Sequence, residues 1–303
     1  MNGVVITGPT GAIGMALIKK CIEDGRNVLA ICHRGSKRIK QIPNSEFVKI
    51  VEASLDEYCN LFVENKPEEE YDTFIHLAWN GTFGDTRNDM PLQVDNIKYT
   101  LDACDLAKRI GCNVFLGAGS QAEYGRVNEP LRPDTPAFPE NGYGMAKLAA
   151  GQMSRVKCEQ LGIKHIWARI LSVYGPYDGE NTMIMSSLRK MLNNEETHFT
   201  AGEQMWNYLY SEDAAKILLR IAQKSYNGHV FCLGSNDNRK LKSYINEMYK
   251  LTGCTARLGI GDIAYNNNQV MYCYTEEDIF NIFDEETISF EEGIKRLIIY
   301  VNS

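Results

Sequence analysis

The sequence predicts an α/β fold in which helices cover both faces of a parallel sheet. Short apolar segments typical of strands alternate with helical segments through the first half of the chain, and this pattern favours parallel pairing. The first of these segments are a strand over residues 4–6, a helix over 15–22 and a strand over 27–32. With 303 residues, the chain is long enough for one large core or for two lobes that share a cleft.

A glycine-rich turn joins the first strand to the first helix. Gly8, Gly11 and Gly14 give the spacing G-x-x-G-x-x-G. In such a turn one glycine permits the tight bend, one lets backbone N–H groups approach a pyrophosphate, and one lets the helix pack closely on the strand. The phosphate charge then lies at the positive end of the helix. The pattern predicts a Rossmann-type, doubly wound sheet that binds a dinucleotide.

The segment after the second strand indicates which dinucleotide is bound. A carboxylate at this place holds the ribose 2′-hydroxyl of NAD. Here the chain has His33, Arg34, Ser36 and Arg38, with no carboxylate between residues 33 and 38. Positive side chains suit a 2′-phosphate, so we predict NADP as the cofactor, with NAD as the alternative.

Further strands are expected over residues 47–51, 73–79 and 113–117, with a helix over 92–110 before the last. We interpret His76, inside an apolar strand, as a hydrogen-bonded core residue. The polar segment 79–90 is expected to be a loop over the mouth of the site. The strand at 113–117 leads into Ser120 and Gln121, and loops at the carboxyl ends of parallel strands are where such sheets place their chemistry.

A proline-rich connector over 129–139 precedes a long helix that opens with Tyr143 and Lys147 and runs to about residue 161. Because the two residues are four apart, their side chains emerge on one helix face. Taken alone, this pair could equally be an exposed tyrosine and lysine that share a helix surface.

The glycine turn, Ser120 and the Tyr143-x-x-x-Lys147 pair occur together in the order and at the intervals of a known family. The chain resembles the extended short-chain dehydrogenases/reductases, and within them the nucleotide-sugar epimerase/dehydratase/reductase branch. Asn96, the segment 169–176 (RILSVYGP) and the segment 213–215 (DAA) match as well, so the resemblance covers nearly the whole chain.

The resemblance implies roles for these residues. Tyr143 would exchange a proton with a sugar oxygen, Lys147 would lower its pKa, and Ser120 would hydrogen-bond the same oxygen. Hydride would pass directly between nicotinamide and sugar, with no metal. The expected cofactor contacts are Thr7, Gly8, Thr10, Gly11, Ala12, Ile13, Gly14, His33, Arg34, Ser36, Arg38, Ser54, Leu55, Leu77, Ala78, Trp79, Asn96, Tyr143 and Lys147.

Neighbouring residues narrow the reaction that the resemblance implies. Dehydratases of the family have an Asp-Glu pair where this chain has Gln121 and Ala122, and its 3,5-epimerase-reductases have Cys and His where Ala122 and Tyr177 stand. Glu123 receives no role. Two activities remain: NADPH-dependent reduction of a nucleotide-activated 4-keto sugar, often 6-deoxy, and 4-epimerisation with a retained cofactor. We favour the reductase. A non-sugar carbonyl reductase and a catalytically silent nucleotide-binding regulator are further alternatives.

The second half of the chain is expected to bind the substrate. We divide the chain into a dinucleotide-binding domain over 1–171 and a mainly substrate-binding lobe over 172–303, with a strand at 229–234 that returns to the sheet. Trp206 stands where family members usually have an arginine that contacts the substrate's diphosphate. The candidate substrate contacts are Ser120, Gln121, Tyr174, Arg189 and Trp206.

Composition excludes several kinds of partner. The net charge is −7 without a basic block, so neither nucleic acid nor an anionic membrane is expected to bind. No apolar run reaches membrane-spanning length, the first predicted strand begins at once, and nine scattered cysteines show no C-x-x-C spacing. We therefore expect a reduced, cytoplasmic protein without a metal site. The resemblance implies a homodimer that pairs the helices over 92–110 and 143–161.

Overall fold

The computed structural model describes residues 3–224 and 226–303. Its strands, in chain order, are β1 (Gly3–Thr7), β2 (Asn27–Cys32), β3 (Val48–Glu52), β4 (Thr73–His76), β5 (Val114–Ser120), β6 (Lys164–Ile170), β7 (Ser172–Tyr174), β8 (Thr197–Phe199), β9 (Met205–Tyr210), β10 (His229–Leu233), β11 (Asn238–Lys240), β12 (Leu258–Ile260) and β13 (Tyr272–Cys273). Its α-helices are α1 (Ala12–Glu23), α2 (Met90–Ile110), α3 (Gly142–Leu161), α4 (Met183–Leu192), α5 (Ser211–Gln223), α6 (Leu241–Thr252), α7 (Ile279–Ile282) and α8 (Phe290–Asn302).

The largest sheet in the described part of the chain is a Rossmann-type sheet, which confirms the predicted fold class. Seven strands lie in the order β10-β6-β5-β4-β1-β2-β3, and every neighbouring pair is parallel. Apolar residues of α1 and α5 form a core on one face of the sheet, and those of α2 and α3 form a core on the other.

The order of the strands reverses at β1, which lies between β2 and β4. A crevice opens at such a reversal outside the carboxyl ends of the strands, where doubly wound sheets bind ligands. Thr7 ends β1 opposite His76 of β4, and Thr7 Oγ1 lies 2.9 Å from His76 Nδ1. His76 is buried, so its interpretation as a hydrogen-bonded core residue is confirmed.

Two predicted strands differ from the observed ones by three residues at their carboxyl ends. β4 ends at His76 rather than at residue 79, because the N–H groups of Leu77 and Ala78 donate to the Thr7 hydroxyl. β5 continues to Ser120 rather than ending at residue 117, because its parallel pairing with β6 extends to Ser120 opposite Ile170. The second difference places Ser120 at the carboxyl edge of the sheet.

The chain beyond β6 builds a smaller layer and also contributes to the first one. β9 pairs with β7, β11 and β13, while β8 pairs with β12. Helices α4, α6 and α8 pack beside these strands around a cluster of aromatic side chains. In contrast, β10 pairs with β6 at the edge of the large sheet, and α5 packs on α1. Sequence reasoning expected the returning strand but not the return of α5.

Every helix in the described ranges is too short or too polar to cross a membrane. The nine cysteines are free thiols, and most are buried, including Cys21, Cys104 and Cys232 in the two cores beside the large sheet and in a small cluster next to them. Within the same ranges, His, Cys, Asp and Glu side chains form no group of three that could hold a metal ion.

Candidate active site

The turn between β1 and α1 has the geometry that a pyrophosphate requires. Gly8 has φ +68°, which favours glycine. A Cβ on Gly14 would lie 2.4 Å from the Gly8 carbonyl oxygen, so only glycine allows this close packing. A Cβ on Gly11 would meet that oxygen only at 3.8 Å, which leaves room above the turn. Gly11 is the N-cap of α1 and supplies no side-chain cap to its first N–H groups. The turn therefore fits an anionic ligand at the helix start.

Other expected cofactor contacts lie around this turn and at the ends of β3 and β4. Thr10, Ala12 and Ile13 belong to the turn and the start of α1, and all three are partly exposed. Ser54 and Leu55 follow β3, where the Ser54 hydroxyl caps a short 3₁₀ turn and Leu55 is buried. Leu77 and Ala78 follow β4 and are partly buried.

Thr7 lies at the end of β1, beside the end of β4. Its side chain is fully buried, lies next to His76 Nδ1, and accepts hydrogen bonds from the backbone N–H groups of Leu77 and Ala78. The hydroxyl thus joins the ends of β1 and β4.

The basic segment after β2 lies against two carboxylates that sequence reasoning missed. Arg34 donates to both oxygens of Glu57 at 2.7–3.2 Å, and the Gly35 N–H donates to Glu52 at 2.8 Å. Arg38 donates to the backbone carbonyl of Tyr177. The contact with Glu52 could have been predicted from the sequence, because Glu52 ends β3 directly opposite Cys32 at the end of β2. His33 and Ser36 lie in the same segment, and His33 is exposed.

The structure brings Ser120, Tyr143 and Lys147 together between β5 and the first turns of α3. The Ser120 side chain lies beside Tyr143, and its interaction with the phenol lowers the pKa of Tyr143. Lys147 is buried, donates to the Ala118 carbonyl at 2.7 Å, and has its Nζ 5.9 Å from the centre of the Tyr143 ring. A Cβ on Gly144 would lie 2.3 Å from the Ala122 carbonyl oxygen, so glycine is what lets α3 approach this closely.

Burial changes the proton affinity of both groups on α3. Burial raises the pKa of Tyr143, while the hydrogen bond from Ser120 and the charge of Arg87 lower it and the charge of Glu123 raises it. Burial lowers the pKa of Lys147 to about 7, against the opposing effect of Glu123. Lys147 is therefore only partly protonated at neutral pH.

Glu123 holds Ser120 in place from behind the site. Its buried carboxylate accepts hydrogen bonds from the Ser120 N–H at 2.7 Å, from Trp167 Nε1 at 3.0 Å and from Arg169 Nε at 2.8 Å. Cβ atoms on Gly117, Gly119 and Gly151 would each lie within 2.6 Å of the Trp167 indole. These three glycines open the slot that the indole fills. The carboxylate is thus a structural part of the site.

The loop 79–90 covers the site and is held by hydrogen bonds of Asn96 and Trp79. Asn96 is buried and anchors the loop: its side-chain amide accepts a hydrogen bond from the Asn80 N–H and donates to the carbonyls of Asn80 and Leu92. The Trp79 indole donates to Gln93 at 3.0 Å and lies 3.8 Å from Lys147 Nζ. It contacts the candidate catalytic lysine directly.

The structure separates the expected substrate contacts. Tyr174 is fully buried among Tyr210, Phe290 and other rings of the smaller layer. Trp206 is half-buried and packs between two apolar clusters. Arg189 is an exposed residue of α4, whereas Gln121 directly follows Ser120 at the edge of the cleft.

Comparison with known proteins identifies the family. The model of the NAD dependent epimerase/dehydratase family matches residues 4–234, which is most of the chain. The chain belongs to this family. It is an enzyme of the extended short-chain dehydrogenase/reductase type, and the NAD-dependent family to which it belongs processes nucleotide sugars. This confirms the resemblance seen in the sequence.

Relatives of this chain include a reductase and a dehydrogenase of sugar nucleotides. The dTDP-4-dehydro-6-deoxyglucose reductase of Escherichia coli is 25% identical, covering 98% of this chain and 96% of its own. The dTDP-6-deoxy-L-talose 4-dehydrogenase (NAD(+)) of Aggregatibacter actinomycetemcomitans is 25% identical, covering 80% and 88%.

Solved structures share the fold. The UDP-N-acetylglucosamine 4-epimerase from Methanobrevibacter ruminantium has a TM-score of 0.87 at 20% identity and covers 99% of this chain and 98% of its own. The UDP-glucuronic acid 4-epimerase from Bacillus cereus, in complex with UDP-glucuronic acid and NAD, has a TM-score of 0.84 at 18% identity and covers 99% of each chain.

Proposed function

We propose that this chain reduces the 4-keto group of a nucleotide-activated 6-deoxy sugar, with Ser120, Tyr143 and Lys147 as its catalytic residues. The convergence of these three side chains at the carboxyl edge of β5 carries the proposal. Gln121 and Ala122 support reduction over dehydration, because neither can exchange the protons that elimination requires. The full-length similarity to a reductase of a 4-keto-6-deoxy sugar nucleotide supports the same choice.

Each residue has a defined part in this reduction. When bound, the reduced dinucleotide supplies the hydride. Tyr143 gives its phenolic proton to the former carbonyl oxygen, so that the ketone becomes a secondary alcohol. Ser120 donates a hydrogen bond to the same oxygen and stabilises the charge that develops on it. Lys147, when protonated, stabilises the Tyr143 phenolate that remains until solvent returns the proton.

We further propose NADPH as the preferred reductant. Arg34 is paired with Glu57, but its side chain is 60% exposed, and exposed pairs of this kind contribute little to stability. A doubly charged 2′-phosphate can therefore displace the Glu57 carboxylate from the guanidinium. The glycine turn and the uncapped start of α1 fit the pyrophosphate of either dinucleotide.

The residues after 172 are proposed to bind the sugar nucleotide. Gln121 and Trp206 are the candidates for contact with it, and Arg189 is a candidate for its phosphates if α4 borders the bound substrate. Because Trp206 replaces an arginine that is usual in the family, we expect stacking there and not ionic recognition.

The test uses dTDP-4-keto-6-deoxyglucose with NADPH or NADH. We expect loss of absorbance at 340 nm and a 6-deoxyhexose product identified by NMR. Tyr143→Phe should lower turnover by about 10²- to 10⁴-fold, the usual contribution of a positioned acid, while NADPH binding is retained. Tyr99→Phe on α2 is the matched control. An unchanged rate in Tyr143→Phe contradicts the mechanism.

A second candidate function is 4-epimerisation. The similar fold of two 4-epimerases and the pairing of Arg34 with Glu57 favour it. Protein that purifies with NAD already bound and interconverts UDP-glucose and UDP-galactose without added reductant would establish this function in place of the reductase. Turnover of simple aldehydes alone would instead indicate a non-sugar carbonyl reductase.

A further inference from the structure

A second cation lies closer to Tyr143 than Lys147 does. The guanidinium carbon of Arg87 is 4.4 Å from the centre of the Tyr143 ring, compared with 5.9 Å for Lys147 Nζ. Arg87 comes from the loop between β4 and α2, whereas Tyr143 and Lys147 are on α3. The charge nearest to the candidate acid therefore comes from a different part of the chain.

The loop is built to hold Arg87 at this place. The Gly142 N–H at the start of α3 donates to Asn88 Oδ1 at 3.0 Å. A Cβ on Gly142 would lie 3.0 Å from the Arg87 carbonyl oxygen, so a larger residue would push the loop away. The buried amide of Gln93 donates to the carbonyls of Gly81 and Thr86, which fixes the loop from below.

The guanidinium itself is also oriented. Arg87 Nη1 donates to the carbonyl of Thr82 at 3.1 Å. This contact turns the planar group onto the face of the Tyr143 ring, where a cation is attracted to the π-electrons. The same ring lies nearly perpendicular to the Trp79 indole, with the ring centres 6.0 Å apart. Tyr143 is thus enclosed by two residues of the covering loop.

Lys147 is engaged elsewhere in the same structure. Its Nζ donates to the Ala118 carbonyl at 2.7 Å and lies 3.8 Å from the centre of the Trp79 ring. Burial lowers the pKa of Lys147 to about 7, so part of the population is neutral at neutral pH. An arginine keeps its charge throughout the pH range in which proteins work.

We propose that Arg87 is a positioning residue for proton transfer, whose guanidinium on the Tyr143 ring supplies the permanent positive charge that stabilises the phenolate. The inference rests on the proposed function, in which Tyr143 is the acid. The groups that face Tyr143 are Arg87 from the loop, Lys147 from α3, the Ser120 hydroxyl from β5 and the Glu123 carboxylate beyond it. Glu123 acts in the opposite direction to Arg87.

The test follows the phenolate directly, without substrate or cofactor. Absorbance at 295 nm is measured as a function of pH for each protein and for the same protein carrying the additional substitution Tyr143→Phe. The difference between the two curves reports the ionisation of Tyr143 alone. Arg87→Gln keeps a planar hydrogen-bonding group and removes the charge. We expect it to move the Tyr143 midpoint upward by about one pH unit, as for loss of an opposite charge at 4–6 Å. Arg87→Lys should restore most of the shift. Arg155→Met, which removes an exposed charge from α3, should leave the midpoint unchanged.

Three results would overturn the inference: equal midpoints in wild type and Arg87→Gln, a midpoint that moves only in Lys147→Met, or no Tyr143 signal in the wild type below its alkaline unfolding. Circular dichroism verifies folding, and Arg87→Met replaces Arg87→Gln if the latter fails to fold. Because no sugar is present, a wrong substrate assignment leaves the titration valid. If the reductase is established, the alkaline limb of kcat/KM should move upward in Arg87→Gln, since the protonated phenol then persists to higher pH.

Discussion

Arg34 and Glu57 meet on the surface beside the end of β2, although they lie 23 residues apart in the chain. The pair leaves the guanidinium exposed and able to exchange its partner for a phosphate. We therefore expect cofactor preference to depend on which anion Arg34 binds more strongly. A single residue can be changed to measure this.

Arg34→Glu should weaken NADPH binding by at least about tenfold, the size expected for loss of one charge-assisted hydrogen bond, and leave NADH binding nearly unchanged. Glu57→Gln should strengthen NADPH binding, because the phosphate no longer competes with a carboxylate. Calorimetry on cofactor-free protein measures both affinities, with Lys40→Glu as the control on the same segment. Equal affinity of the wild type for the two dinucleotides would contradict the assignment of NADP.

At the scale of one element, two glycines in the turn from β1 to α1 are expected to have different roles, one in folding and one in ligand binding. Gly14 is required by packing, because a Cβ there would lie 2.4 Å from the Gly8 carbonyl oxygen and 2.6 Å from Pro9 Cα. Gly11 has room within the protein and an ordinary φ of −84°. We expect the approach of a ligand to be the reason for glycine at this position.

Gly14→Ala should therefore lower the free energy of unfolding by about 1–3 kcal/mol, as overpacking does, and thermal unfolding would show it. Gly11→Ala should fold with stability close to wild type and lose dinucleotide affinity in calorimetry, because its methyl group occupies the space above the turn. Equal stability of the two variants would contradict the packing role of Gly14. Undiminished dinucleotide binding by Gly11→Ala would contradict the ligand-binding role of Gly11.

At the scale of the whole molecule, α2 and α3 leave an apolar face exposed. Val94 on α2 is 61% exposed, and Met153 and Val156 on α3 are 48% and 44% exposed. The two helices pack side by side, and the family resemblance implies that they form the dimer contact. Neighbouring exposed apolar side chains are typical of an interaction surface.

We expect the wild type to be a dimer and the double variant Met153→Glu, Val156→Glu to be a monomer, because buried unpaired charges oppose association. Light scattering after size-exclusion chromatography measures the mass. Ile299→Glu on α8, which changes a residue that is 71% exposed, is the matched control and should stay dimeric. A monomeric wild type would refute the assignment.

Buried histidines make the stability of the molecule depend on pH. Burial lowers the pKa of His76 to about 3 and that of His165 to about 4. In the unfolded chain a histidine titrates near ~6.5, so below that pH protons bind the unfolded state preferentially and the folded state loses stability. Each such histidine adds a slope of up to about 1.4 kcal/mol per pH unit.

His165→Gln should reduce the fall in unfolding free energy between pH 6.5 and 4, as measured by urea denaturation at several pH values. His33→Gln, which changes an exposed histidine, should leave the slope as in the wild type. A slope that is the same in both variants would mean that burial of His165 does not control the acid sensitivity.

The sequence by itself determined the fold class, the glycine turn, and the order of Ser120, Tyr143 and Lys147. These features depend on local patterns: the alternation of strands and helices, three glycines within seven residues, and a helical spacing of four. Local patterns can be read along the chain, because the backbone geometry that they require does not depend on distant partners.

Only the tertiary structure decided what these residues touch. It bonded Thr7 to the end of β4, Asn96 to the covering loop and Arg34 to Glu57, buried Tyr174 among aromatic rings, and placed Arg87 on Tyr143. Such contacts join residues far apart in the chain, and they follow from the packing of whole elements. No spacing in the sequence encodes them, because the partner of a polar side chain is set by which elements the fold brings beside it.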